Sequence, residues 1–229
     1  MSLLHDAYTA LLSGLTHKTG NEIHWHDKDG SQITVEPVDV ESESYIIRYY
    51  YENGVLSRET HYLKDQLHGK HQVRYPNGNI HWEKYSHQNL IHGKCIGWYE
   101  NGKKAWDESW INGQRHGKYI KWYDSGQKCQ EINYKNGLRH GKDIGWGTGG
   151  KKSWEKDCSN GKLHGKCTWW HPNGQKKWED YWINGQLHGK KICWKSDGTL
   201  YEERYYIYSE LVSREEWEQY NNHHMNKKC

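Results

Sequence analysis

A step of 24 residues runs through most of this chain. The triplet His-Gly-Lys recurs at His68, His92, His116, His140, His164 and His188 with no insertion or deletion between copies. A second glycine keeps the same step over a longer span, at Gly30, Gly54, Gly78, Gly102, Gly126, Gly150, Gly174 and Gly198. The residues before it are Asp29, Asn53, Asn77, Asn101, Ser125, Gly149, Asn173 and Asp197, nearly all of them turn formers. Self-similarity at a period of roughly 20–50 residues marks a repeat architecture. Each copy is one small unit that buries its faces only by stacking on its neighbours.

The copy from Lys94 to His116 shows what the unit is. Ile96 and Trp98 alternate with Cys95, Gly97 and Tyr99, a period of two that reads as a strand. Asn101-Gly102 follows, then Ala105 to Trp110, then Asn112-Gly113 and His116-Gly117. The expected order is strand, tight turn, strand, longer turn. Asn101-Gly102 is assigned the type I′ turn, which needs positive φ at both central residues; the stretch from Asn112 to Gly117 is read as the longer connection. Such short connections place successive strands antiparallel in a continuous meander.

At both ends the repeat decays, as terminal copies do. Residues 1–20 form an expected N-terminal helical cap, because Leu3, Leu4, Ala7, Tyr8, Leu11, Leu12 and Leu15 share one helix face. Residues 21–208 are the repeat array, beginning with a degenerate copy that keeps Trp25, Asp29-Gly30, Ile33, Val35 and Val38. Residues 209–229 are the C-terminal cap and tail. There Ser213-Arg214-Glu215-Glu216 is a capping box opening a helix that carries Trp217 and Tyr220.

Composition limits what the array can bury. Hydrophobic residues make up 34% of the chain and Phe is absent, against 14 Trp and 18 Tyr; mean hydropathy is −1.20. Amphipathic rings suit a thin structure with one end of each side chain buried and the other wet. Stacking the copies lines them up in columns. One reads His26, Tyr50, Arg74, Trp98, Trp122, Trp146, Trp170, Trp194; another Val38, Tyr62, Ser86, Trp110, Tyr134, Cys158, Trp182, Tyr206. These columns are read as the packed face, although a surface for stacking sugars or bases would show the same pattern. A third column is acidic: Glu59, Glu83, Asp107, Glu131, Glu155, Glu179 and Glu203.

Several constellations bear on function. The lysines Lys70, Lys94, Lys118, Lys142, Lys166 and Lys190 form a ladder with two readings. It is a row paired across strands with the acidic column, or a track for anionic lipid headgroups or nucleic acid. With two strands per repeat, the six ladder histidines lie about 9.5 Å apart, too far to share one metal, so they are read as bracing turns. The six cysteines follow no CxxC spacing and are read as free thiols in a reducing compartment. No apolar run has the length of a membrane span and the N-terminus lacks a signal-peptide pattern, so an intracellular location is expected. No nucleophile elbow or phosphate loop is visible, and no metal, cofactor or small-molecule substrate is expected.

Tyr181-Trp182-Ile183-Asn184-Gly185-Gln186-Leu187-His188-Gly189 resembles the MORN repeat, whose core is roughly Tyr-x-Gly-x-Trp-x-Asn-Gly-Lys-x-His-Gly. The turn Asn101-Gly102-Lys103-Lys104 with Asp107 is similar to the variant of YwqK-like antitoxin-type repeats. Such repeats also occur in the multi-copy MORN proteins of Marseillevirus-like large DNA viruses. The chain departs from the pattern at Asp180 and Ser109, near where a glycine is usual, and at the Lys after His-Gly. The resemblance implies a non-enzymatic scaffold or assembly protein with protein partners, viral and carried in the virion. The other readings are a phospholipid- or nucleic-acid-binding module using the lysine ladder, and an antitoxin-like binding partner.

The expected fold is thus an all-β repeat array: an elongated antiparallel β-meander of about eight hairpins with short helical caps at both ends. A meander leaves two edge strands. The apolar faces of the caps exceed what one sheet edge hides, so a homodimer joined through a terminal repeat or cap is expected.

Overall fold

A computed structural model describes residues 18–19, 22–26, 31–39 and 43–225. The expected N-terminal helix lies outside the described residues. The chain divides into two units, Met1–Gln114 and Arg115–Cys229. In the first, β1 (Lys18–Thr19), β2 (Glu22–His26), β3 (Gln32–Asp39), β4 (Ser44–Tyr50), β5 (Leu56–Leu63), β6 (Gln66–Arg74), β7 (Ile80–His87), β8 (Leu90–Trp98) and β9 (Lys104–Ile111) follow one another. Each pairs antiparallel with the next. The two-residue β10 (Gln114–Arg115) falls at the division. The second unit runs through β11 (Gly117–Trp122), β12 (Lys128–Lys135), β13 (Leu138–Trp146), β14 (Lys152–Ser159), β15 (Lys162–Trp170) and β16 (Lys176–Ile183). It continues with β17 (Gln186–Leu187), β18 (Gly189–Trp194), β19 (Leu200–Ile207) and β20 (Glu210–Val212), all antiparallel, with β17 and β18 both pairing on β16. Among the described residues the one helix is α1, Arg214–Met225. The array is an antiparallel meander built from repeated strand pairs.

The turn assignment is corrected. Asn112 and Gly113 both have positive φ, 47° and 77°, as do Asn136-Gly137, Asn160-Gly161 and Asn184-Gly185; these are the type I′ turns. At Asn101-Gly102 only the glycine is positive, at 81°. There the Gly102 amide donates to the Tyr99 carbonyl, and the Asn101 side chain accepts from the Lys103 amide. An asparagine that spends its oxygen on its own backbone holds an ordinary negative φ, leaving the left-handed position to the glycine alone. The glycines of His-Gly-Lys sit inside strands instead, with φ near 88° at Gly117 and Gly141. At Gly141 the register of β12 on β13 shifts; the extra backbone is absorbed as a bulge.

Burial departs from the first expected column, while Ser86 and Cys158 of the second are buried. Trp98, Trp122, Trp146, Trp170 and Trp194 are half-buried. A register shift precedes each of them and re-aims the ring at the strand end, where Lys128, Lys152 and Lys176 lie 5.6–5.8 Å over Trp146, Trp170 and Trp194. In three repeats the buried centre is a cross-strand pair, Ile47 with Thr60, Cys95 with Glu108 and Cys167 with Asp180, while buried Asp143 faces the half-buried Lys156. In the first unit Ile33, Val35, Tyr45 and Ile47 make an apolar cluster joined by Tyr49 and Tyr62. The centre then turns polar: in the second unit Asp143 and Asp180 are 1% and 3% exposed.

The C-terminal cap forms as the capping box predicts. The Ser213 amide donates to Glu216 Oε2 at 2.7 Å, and the Glu216 amide donates to Ser213 Oγ at 3.2 Å. This satisfies two amides that a helix start leaves unbonded. Trp217 then packs on Tyr205, and Tyr220 on His188 and Tyr208.

Candidate functional site

The predicted lysine ladder resolves into ion pairs across strands. Lys94 reaches Asp107 at 2.9 Å, Lys118 reaches Glu131 at 2.7 Å, and Lys166 reaches Glu179 at 2.8 Å. Lys142 meets Glu155 at 3.0 Å and Asp157 at 2.8 Å, and Lys190 meets Glu203 at 2.5 Å. Lys70 stands 4.0 Å from Glu59. A second lysine column, not picked out from sequence, grips the same acids from three residues upstream: Lys104 on Asp107, Lys128 on Glu131, Lys152 on Glu155, Lys176 on Glu179. Its signal was there in the same 24-residue step. Because the strands run antiparallel, one acid from each pair sits between a cross-strand lysine and a same-strand one.

The electrostatic effect is visible in the acids. Hydrogen bonds from Lys118 and Lys128 hold Glu131 below the ordinary carboxylate value, and Lys152 with Lys142 do the same at Glu155. Burial pushes Glu179 the other way, yet Lys166 and Lys176 outweigh it and its value is lowered. The ladder lysines remain open to solvent, 63% exposed at Lys118 against 15% at Glu131. Exposed pairs of this kind each add only about 0.2–1 kcal/mol. In the second unit their regularity makes a charged face on which Glu131, Glu155 and Glu179 each hold two lysines.

Adjacent repeats are stitched together at both turn rims. Tyr51, Tyr75 and Tyr123 donate their hydroxyls to the carbonyls of Arg74, Trp98 and Trp146. Asn53 and Asn173 donate to the carbonyls of Pro76 and Ser196. On the opposite rim the amides of Gly113, Gly161 and Gly185 bond back to Ile91, Arg139 and Leu163. His92 and His164 lie 3.2 Å from the Oδ1 atoms of Asn112 and Asn184, so these histidines brace the type I′ turn of the following copy. Among the described residues no group of three or more His, Cys, Asp or Glu could hold a metal ion. The five described cysteines are free thiols, and burial pushes Cys167 up to about 12.

The other sheet face breaks the repeat. At Gly97 and Gly145 a tryptophan from the next strand lies flat on the glycine; an added Cβ would come within 2.3 Å of Trp106 and 2.2 Å of Trp154. One repeat after Gly145 the position is Trp169. Its ring wedges between the neighbours, 5.7 Å from Trp154 and 5.0 Å from Trp178. A cleft of about 250 Å³ opens beside it, over Asp180. No column reading could find this place, because it exists where a column fails.

A family model described as a MORN repeat variant matches residues 46–64, 115–136 and 163–184. Those three segments are similar to that family. No curated protein matches the chain. Of membrane-spanning helices, none of the described helical structure is long and apolar enough.

Proposed function

We propose that this protein is a non-enzymatic scaffold whose repeat face holds protein partners. The observation that carries the reading is the stitching of repeat to repeat by Tyr51, Tyr75 and Tyr123 and by the glycine amides of the type I′ turns. A surface held this way is organised before its partner arrives, so less ordering entropy is lost on binding. The clamped acids favour reading Lys94, Lys118, Lys142, Lys166 and Lys190 as structural ion pairs. Two lysines per acid still leave an excess of positive charge, which supports the anion-track alternative for phospholipid or nucleic acid. Cross-linking of the full chain in its native source, with the cross-linked lysines mapped by mass spectrometry, tests the scaffold. Cross-links to a recurring protein along the ladder are expected. Retention on anionic vesicles or DNA that vanishes with salt, and no protein cross-link, would replace this reading with the anion track.

The partner includes a second copy of the chain. β20 covers only Tyr205, Tyr206 and Ile207 of β19, which leaves Leu200 to Arg204 as an open strand edge. Tyr201 and Leu211 beside it are 68% and 63% exposed. Light scattering should give a dimer for the full chain and a monomer for Tyr201→Lys with Leu211→Lys. A monomer for the unaltered chain would end the dimer reading. By the resemblance, the setting is a viral, virion-packaged protein inside the infected cell. Peptides of the chain in purified particles are the expected finding.

A further inference from the structure

The cleft beside Trp169 brings three chemistries together. Trp169, Trp178 and Trp182 line it, each half-buried. Asp180 lies at its floor, 3% exposed. Lys156 and Lys191 stand at its rim, with Lys156 Nζ 4.5 Å from the Trp169 ring centre and Lys191 Nζ 6.0 Å from that of Trp178.

Asp180 is the unusual member. Asp143, buried one and a half repeats earlier, is fully answered: it pairs with Arg139 at 3.1 Å and accepts from Gln130 and Trp154. Asp180 accepts a single hydrogen bond, from Trp182 Nε1 at 2.7 Å, and has no ion pair among the described residues. A buried carboxylate held by one neutral donor has unused acceptor capacity, and burial accordingly raises its proton affinity.

Which ligand answers all three chemistries follows from charge and shape. Two lysines against one carboxylate disfavour a further cation. A neutral sugar offers hydroxyls and a flat face but leaves the rim lysines unanswered. A nucleobase offers a π face to the tryptophans, N–H donors to the carboxylate, and a phosphate to the lysines. Guanine fits best, since its Watson–Crick edge presents two adjacent donors to one carboxylate. Uracil presents one donor between two acceptors, which face the carboxylate with like charge. The cleft, at about 250 Å³, is smaller than the roughly 300 Å³ at which drug-sized pockets begin. It therefore seats a base and leaves the phosphate at the rim. Lys156 lies on the ring a base would cover, so a stacking base frees that ammonium for the phosphate.

We propose that this cleft binds a guanine nucleotide, either free or as an unpaired guanine in a single strand, with Asp180 reading the base and Lys156 and Lys191 holding phosphate. The proposal is independent of the scaffold reading, which uses the opposite face.

Titration of the full chain by tryptophan fluorescence and calorimetry tests it, with GMP, guanosine, UMP, and short single strands of G or U as probes. Guanine-containing probes should bind at least about tenfold tighter than uracil ones. GMP should bind tighter than guanosine. Asp180→Asn, checked for unchanged circular dichroism, should bring the G and U affinities within about twofold of each other. Lys156→Ala should remove the advantage of GMP over guanosine while guanosine binding stays. Binding of the G strand without GMP identifies a single strand as the source; binding of both identifies the free nucleotide as sufficient. Equal affinity for G and U probes, no response to any guanine probe at millimolar concentration, or an Asp180→Asn protein that keeps its preference would overturn the proposal.

Discussion

His71 carries the clearest consequence at the scale of a single residue. Its ring packs edge-on against Trp82 at 4.8 Å, and neither nitrogen has a hydrogen-bond partner among the described residues. Burial, and then the charges of Lys84 and Arg58, push its value down from 6.5 to about 4. The folded protein keeps this imidazole neutral while the unfolded chain takes up a proton below pH 6.5. Unfolding therefore binds a proton in that window, and stability falls as pH drops from 6.5 towards 4. Thermal melts should show this slope, and His71→Phe should reduce it, leaving the part contributed by His188, which burial also holds down. The same variant should gain about 1–2 kcal/mol at pH 7, because it removes two unsatisfied nitrogens from a buried ring. The clamped carboxylates act lower down. Glu131, Glu155 and Glu179 are all held below 4.5, so their contribution is present above that value and is lost only as pH falls beneath it. A His71→Phe protein whose slope between pH 6.5 and 4.5 is unchanged would assign the slope to another group.

At the scale of the strand pair, what decides packing is whether glycine or a ring occupies one position. Gly145 and Trp154 are cross-strand partners, and the indole lies where a Cβ would be. Gly145→Ala should therefore destabilise the second unit by about 1–3 kcal/mol through overpacking, measured by denaturant unfolding. Adding Trp154→Ala should recover part of that loss, because the two changes share one space. Additive losses would mean that the glycine is needed for its backbone instead. At Trp169 a ring fills the position, packed 5.0 Å from Trp178, and a cleft lies beside it. The hairpin turns follow similar logic. Where a copy carries two Asn-Gly pairs, as at Asn101-Gly102 and Asn112-Gly113, they look alike in sequence, and φ distinguishes their roles. At Asn112-Gly113 both residues turn left-handed, while at Asn101 the side chain caps the next amide.

For the molecule as a whole, stability in a repeat array is close to a sum of copies and their interfaces. The second unit, Arg115–Cys229, contains complete strand pairs, the turn-rim stitches and the capped helix α1. A fragment of residues 115–229 should give a β-sheet circular dichroism spectrum and a cooperative thermal transition. A spectrum of unfolded chain would show that the copies depend on a larger cooperative unit.

The step of 24 residues, the antiparallel order, the thinness of the core and the C-terminal capping box were all legible in the sequence. Each follows from local rules: turn chemistry recurs at the period, short connections allow only neighbour pairing, and Ser213 and Glu216 sit three residues apart wherever the helix lies. Burial was not legible in the same way. The aromatic columns at Trp98 to Trp194 look like a core, yet a one-residue register shift before each ring moves it to the strand rim. In a two-residue side-chain period, such shifts change which face a residue presents. The lysine ladder and the acidic column it pairs with were both visible; the second lysine column lay in the same 24-residue step, and only the structure shows its side chains turned onto the acids three residues on. Asp180 and Trp169 belong to the same class. One is a buried carboxylate with a single hydrogen bond and the other a ring where its counterpart is glycine, and their meaning comes from strands that meet only after the chain has folded.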